Sequence, residues 1–163
     1  MLRKFIAGSA VITGALALTL MGVAQAQAEP ATGAMSELSS REASLYQSDK
    51  PKTIQIDPAT GQVLSVSEGM GFEVQAIKNN CSGDVACWNG RPPALNYGFS
   101  GSGSSGSWPH RASFQTKNYT ATVCWSYEGT TAKVCTPEHE RAGKNSKIEF
   151  GQNVTGRSVS LKR

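Results

Sequence analysis

Apolar side chains fall on alternate positions in several short runs of this chain, with turn residues between the runs. In the segment KTIQI, residues 52–56, Ile54 and Ile56 share one face. DPATGQ then supplies turn chemistry, and VLSV resumes the alternation through Val63 and Val66. A β-hairpin is predicted, with Pro58 presetting its own backbone angle and Gly61 accepting the positive φ of the return. Residues 72–77 carry Phe72, Val74, Ala76 and Ile77 and predict another short strand. The strongest signal is SFQTKNYTATVCWSY, where Tyr119, Ala121, Val123 and Trp125 alternate with Thr120, Thr122, Cys124 and Ser126. Two last strands are expected at 147–150 and 156–161. Between the strong signals, Pro92 and Pro93 exclude a central strand. The glycine-serine run 101–107 lies between aromatic residues and reads as a tight β corner.

Ahead of position 52 the pattern changes. Arg3 and Lys4 precede an uncharged apolar run from Phe5 to Val23, and Ala24-Gln25-Ala26 and Ala26-Gln27-Ala28 follow. A basic start, an apolar middle and an A-x-A exit predict a signal peptide over residues 1–28 and a secreted protein. Residues 29–51 are mostly polar or small and predict a flexible linker or propeptide-like arm. Within it Ser39 and Glu42 have the spacing of a capping box ahead of Leu45 and Tyr46, so a short helix is expected there. Residues 52–163 then form the secreted β domain.

Seven or so short strands predict an all-β fold, an antiparallel sandwich or Greek-key barrel. The 163 residues include four cysteines, and an oxidising destination argues for disulfides. Three pairings exist; local geometry favours Cys81 with Cys87 and Cys124 with Cys135. If Gly129-Thr130 is a two-residue turn, Glu128 faces Thr131 and Trp125 faces Val134, which sets Cys124 opposite Cys135. Zinc held by four thiolates lacks paired C-x-x-C knuckles here. Loss of Arg3 and Lys4 with the leader leaves 14 of the 16 basic residues against 12 acidic ones, so the formal charge falls from +4 to +2. No basic stripe marks a nucleic-acid partner, and no basic amphipathic helix marks stable membrane insertion.

Catalytic motifs are missing around His110 and His139: there is no G-x-S-x-G and no H-E-x-x-H, so the expectation is a binding protein and not an enzyme. Asn79, Asn80, Ser82 and Asp84, and separately Asn153, Thr155 and Ser158, offer oxygen atoms, but without the acidic density of a calcium site; no metal or other cofactor is expected. The binding candidates are Trp88, Arg91, Trp108, His110 and Arg111. They lie near Tyr97 and Phe99 on stretches shaped by glycine and proline, and Trp and Arg concentrate energy at interfaces. Trp125 and Phe99 are expected in the core, and Trp88 or Trp108 nearer the surface.

The segment Cys81-SGDVA-Cys87-Trp88 resembles the cysteine-bracketed strand of the β/γ-crystallin-type metallopeptidase inhibitors, a group of small exported actinobacterial proteins. Tyr97-Gly98-Phe99-Ser100-Gly101 is similar to their aromatic corner, and residues 153–159 to a calcium-binding loop in some members, although Gln152 stands where a paired ligand would be wanted. The resemblance covers residues 79–163 and implies a monomer that blocks an extracellular peptidase through a disulfide-braced loop. The competing expectation is an antibacterial or cell-envelope protein whose aromatics meet cell-wall glycan; a small hydrolase is third.

Overall fold

The computed structural model describes residues 31–163 except Gly33, Ser36, residues 70–80, Pro92, Ala94, Glu128 and residues 138–140. The expected signal peptide, the strand at 72–77 and His139 therefore lie outside the described residues. Elements run in the order β1 (Ala31–Thr32), α1 (Ser40–Gln47), β2 (Lys52–Ile56), β3 (Val63–Glu68), β4 (Ala86–Gly90), β5 (Tyr97–Phe99), β6 (Gly103–Gln115), β7 (Thr120–Tyr127), β8 (Lys133–Cys135) and β9 (Ser146–Lys162).

Two long strands organise the sheet. β9 runs for 17 residues and β6 for 13. The first part of β9 lies parallel to β2, from Lys52 opposite Ser146 to Gln55 opposite Glu149. Its last part lies antiparallel to β7, from Tyr127 opposite Val154 to Thr120 opposite Lys162. β6 follows both parts along the other flank. β4 and β5 extend the sheet beyond β6, while β8 and β1 extend it beyond β7. Strands this long must bend as they twist. The bend in β9 is at Gly151, with φ 67°, and in β6 the register shifts repeatedly between Ser105 and Ser113.

The expected antiparallel sandwich or Greek-key barrel is corrected on two points: the sheet is mixed, because β2–β9 and β1–β8 are parallel, and it does not close into a barrel. Alternation marks a strand's faces and carries nothing about its direction relative to a partner some 90 residues away. The two strands expected at 147–150 and 156–161 are one continuous β9. The glycine-serine run is no corner; from Gly103 onward it is the first half of β6. Gly103, at φ 117°, allows that close approach, since a Cβ there would stand 1.9 Å from the Val159 carbonyl oxygen.

Side chains from both halves of β9 and from the second half of β6 meet in one core. Trp88 packs edge-on against Phe114 (5.0 Å between ring centroids) and tilted against Phe150 (5.5 Å), and Trp125 meets Phe150 from the other side at 4.8 Å. The Trp125 indole N–H donates to the Pro58 carbonyl (2.7 Å), so β7 faces the β2–β3 turn across that core. In this turn Gly61, at φ 78°, donates to the Asp57 carbonyl, and the Asp57 side chain accepts from the Ala59 N–H. β7 has Ala121, Val123 and Trp125 on its core side, and Thr122, Cys124 and Ser126 on the other side are buried as well.

Both disulfides are formed, Cys81–Cys87 and Cys124–Cys135. The hairpin register places Cys124 opposite Cys135, Trp125 opposite Val134 and Ser126 opposite Lys133. The turn itself differs from expectation. The Thr130 N–H donates to the Tyr127 carbonyl with Gly129 at φ 81° in the third position, so pairing stops at Lys133 and the loop is longer than two residues. Each closed loop stabilises the fold by about 2–3 kcal/mol on chain-entropy grounds.

The arm is more than a linker. Ser39 caps α1 through a complete capping box with Glu42, and Leu45 and Tyr46 are buried in the core. Glu42 has its pKa lowered by hydrogen bonds from the Ser39 side chain and backbone. The Val63 N–H donates to the Ala34 carbonyl, so the arm also borders β3. Where α1 gives way to β2, Lys52 is fully buried, and its ammonium donates to the carbonyls of Ser48, Lys50 (3.0 Å) and Lys144 (3.2 Å). Burial pushes its pKa down to about 8, against a smaller opposing effect of Asp49.

Candidate binding rim

The break in β6 builds the most distinctive surface. Trp108 sits opposite Gly156 and Arg111 opposite Val154, so β6 spends one residue more than β9 over that interval. His110 takes up the difference at φ 60°, a left-handed conformation that costs a side-chain-bearing residue about 1 kcal/mol or more. Pro109 and His110 are exposed as a result.

Arg111 points the other way. Only 1% exposed, its guanidinium donates to the Pro109 carbonyl (2.8 Å) and to the Leu95 carbonyl, and stacks 5.0 Å from the Tyr97 ring centre. Burial lowers its pKa, and Tyr97 opposes the shift; with an ordinary value so far above neutrality, it stays a cation. Arg111 is thus a staple between the β6 bulge and the segment preceding β5. Asn96 adds a second brace, its side-chain oxygen accepting from the Gly90 N–H (2.7 Å). Arg91 closes the group: its backbone N–H donates to the His110 carbonyl (3.4 Å), and its exposed guanidinium reaches the Gly151 carbonyl at the bend of β9 (3.4 Å).

Of the five residues singled out from sequence, Arg91, Trp108 and His110 come together at this rim. Trp108 is half-buried, edge-on to Phe99 at 4.9 Å, and lies over Gly156 and Gly106, where a Cβ would come within 3.2 Å and 3.0 Å of its ring. Arg111 belongs to the rim's support and not to its surface. Trp88 is corrected from surface candidate to core: it is fully buried, because it projects from the core face of β4 against Phe114 and Phe150. Its indole N–H has no hydrogen-bond partner among the described residues.

Sequence reasoning missed Leu95, which at 58% exposure is one of two large exposed apolar side chains among the described residues; the other is Leu64 on β3. A single leucine after a proline pair, outside any alternating run, was the available signal. Among the described residues no three His, Cys, Asp or Glu side chains stand together as metal ligands, and no helix is long and apolar enough to cross a membrane. Searches with protein-family models, among characterised proteins and among solved structures find no match to this chain.

Proposed function

We propose that this is an exported binding protein whose rim, formed by Arg91, Leu95, Trp108, Pro109 and His110, docks onto an extracellular peptidase and blocks it. The observation that carries this reading is the exposed Leu95 held on a backbone stapled by buried Arg111. An apolar anchor on an already ordered segment loses little conformational freedom on docking, so more of its burial energy is retained as affinity. Two disulfides and a leader-like N-terminus accord with an extracellular site of action.

The staple also defines the mode of blocking. The Leu95 carbonyl already accepts from Arg111, so it is not free to enter an oxyanion hole as a scissile carbonyl does. The rim therefore acts as an obstructing plug and not as a slowly cleaved substrate. The test is titration of a panel of secreted peptidases with the exported protein. Stoichiometric inhibition is expected, with the protein recovered uncleaved and inhibition weakened at least tenfold by Leu95→Asp. Failure to inhibit any member at stoichiometric protein, or inhibition indifferent to Leu95→Asp, would overturn the reading.

A further inference from the structure

The outer side of the β6–β9–β7–β8 half is rich in serine and threonine. Cross-strand pairing places Ser105 opposite Ser158, Gly103 opposite Ser160, Thr122 opposite Ser160, Thr120 opposite Lys162, Ser126 opposite Thr155, and Lys133 opposite Ser126. Directly opposed residues share a face, so hydroxyls and two lysines lie on this side around the Cys124–Cys135 bridge; Ser126 and Thr122 are buried, while Ser105, Thr120, Thr155, Ser158 and Ser160 are at least partly exposed. None of these positions holds an acidic residue or an aromatic one.

Two arginines lie on it. Arg157 donates from Nε to the Ser126 hydroxyl (2.7 Å) and from Nη1 to the Ser107 hydroxyl (3.2 Å). Arg141 donates to the carbonyl (3.0 Å) and hydroxyl (3.1 Å) of Ser160. Each guanidinium keeps further N–H donors, since five are available, and neither has a carboxylate partner among the described residues. Lys133 and Lys162 are exposed. Between them the buried Thr122 hydroxyl has no hydrogen-bond partner among the described residues. Residues 157 and 160 are about 10 Å apart along β9, so the two guanidinium sites are spaced along the strand and oriented by neutral hydroxyls.

We infer that this face binds a linear polyol-phosphate chain of the cell envelope. Guanidinium groups recognise phosphate through paired charge-assisted hydrogen bonds, and the flanking serine and threonine hydroxyls match the hydroxyls of a polyol. Four cations on one face repel one another, and a polyanion relieves that repulsion. Single-stranded nucleic acid also carries phosphodiesters, but it is held largely by bases stacking on aromatic side chains, which the opposed positions of this face lack. Ser107 faces this side while Trp108, its neighbour, packs with Phe99, so the polymer face is distinct from the peptidase rim. This inference does not rest on that reading.

The test is binding of the full exported protein to labelled poly(glycerol phosphate), with dextran and an oligothymidylate of similar length as comparison probes. Saturable binding to the polyol phosphate that weakens with added salt is expected, with little retention by dextran and weaker binding of the oligonucleotide. Arg141→Gln with Arg157→Gln should reduce affinity at least tenfold, and so should Lys133→Gln with Lys162→Gln. The side chains of Lys133 and Lys162 make no hydrogen bond or ion pair among the described residues, and Lys162 bonds Thr120 through its carbonyl alone, so their effect is read even if the arginine pair unfolds. Leu95→Ala should leave polymer binding unchanged. No binding to poly(glycerol phosphate), equal binding of the oligonucleotide, or full affinity in the lysine double variant would overturn the inference.

Discussion

The two halves of β6 teach what the rest of the molecule is built for. From Arg111 to Gln115 the strand is mostly buried, and Phe114 meets Trp88 while Ser113 faces Asn89. From Gly103 to Ser107 the same strand is glycine and serine, largely exposed, and held by backbone pairing with β9. The Arg111–Gln115 half depends on side-chain packing and the Gly103–Ser107 half on close backbone approach. The residues between them, Trp108 to His110, are where one regime changes to the other and where the exposed rim arises.

Truncation should separate the two regimes most widely. Phe114→Ala is expected to cost about 3–5 kcal/mol, because it removes the aromatic wall of Trp88, whereas Ser105→Ala should stay within about 0.5 kcal/mol. Chemical denaturation of the two variants makes the comparison, and equal losses would erase it. A smaller contrast lies at the entry to the exposed half. Gly103→Ala is expected to cost about 3 kcal/mol through its contact with the Val159 carbonyl. Gly101→Ala, also at positive φ but in open space, should cost only about 1 kcal/mol.

Lys52, opposite Ser146 at the start of β9, gives a gentler effect with a definite sign. Its folded pKa of about 8 lies below its ordinary 10.5, so between those values the unfolded chain holds more protons than the folded one and stability rises with pH. Below about pH 8 both states are protonated, and this group adds no pH dependence. The gain across the window is at most on the order of 3 kcal/mol. Lys52→Met should flatten that part of the profile in melts run from pH 7.5 to 10.5; a wild-type profile that falls through the window, with other lysines accounted for by the variant, contradicts the assignment.

Local chemistry was legible in sequence wherever the interaction is local. The Ser39–Glu42 capping box, the Asp57–Gly61 turn and the Cys124–Cys135 register all depend on residues within a few positions or on a single hairpin. What was not legible depends on distant partners. The parallel alignment of β2 with β9 joins residues far apart in the chain, and nothing in KTIQI specifies it. Residues 103–107 lack the side chains that signal a strand; their pairing depends on Val159 and Ser160. Trp88 and Arg111 were misplaced for the same reason: a tryptophan beside a cysteine and an arginine after a histidine look available until the tryptophan is seen on the core face of β4 and the Leu95 and Pro109 carbonyls are seen around the guanidinium. A mostly polar composition predicts a flexible arm over residues 29–51, but two apolar residues, Leu45 and Tyr46, suffice to anchor it when a capped helix delivers both to one core.

The central structural claim is that the rim is ordered before it meets any partner, because Arg111 staples the Leu95 segment to the β6 bulge. Amide hydrogen exchange across residues 95–99 tests it most directly. The account predicts slow exchange there in the free wild-type protein and faster exchange in Arg111→Met, with β7 and the second half of β9 unchanged. Exchange at the rate of an unprotected chain in the free wild type, or protection unaltered by Arg111→Met, would contradict it.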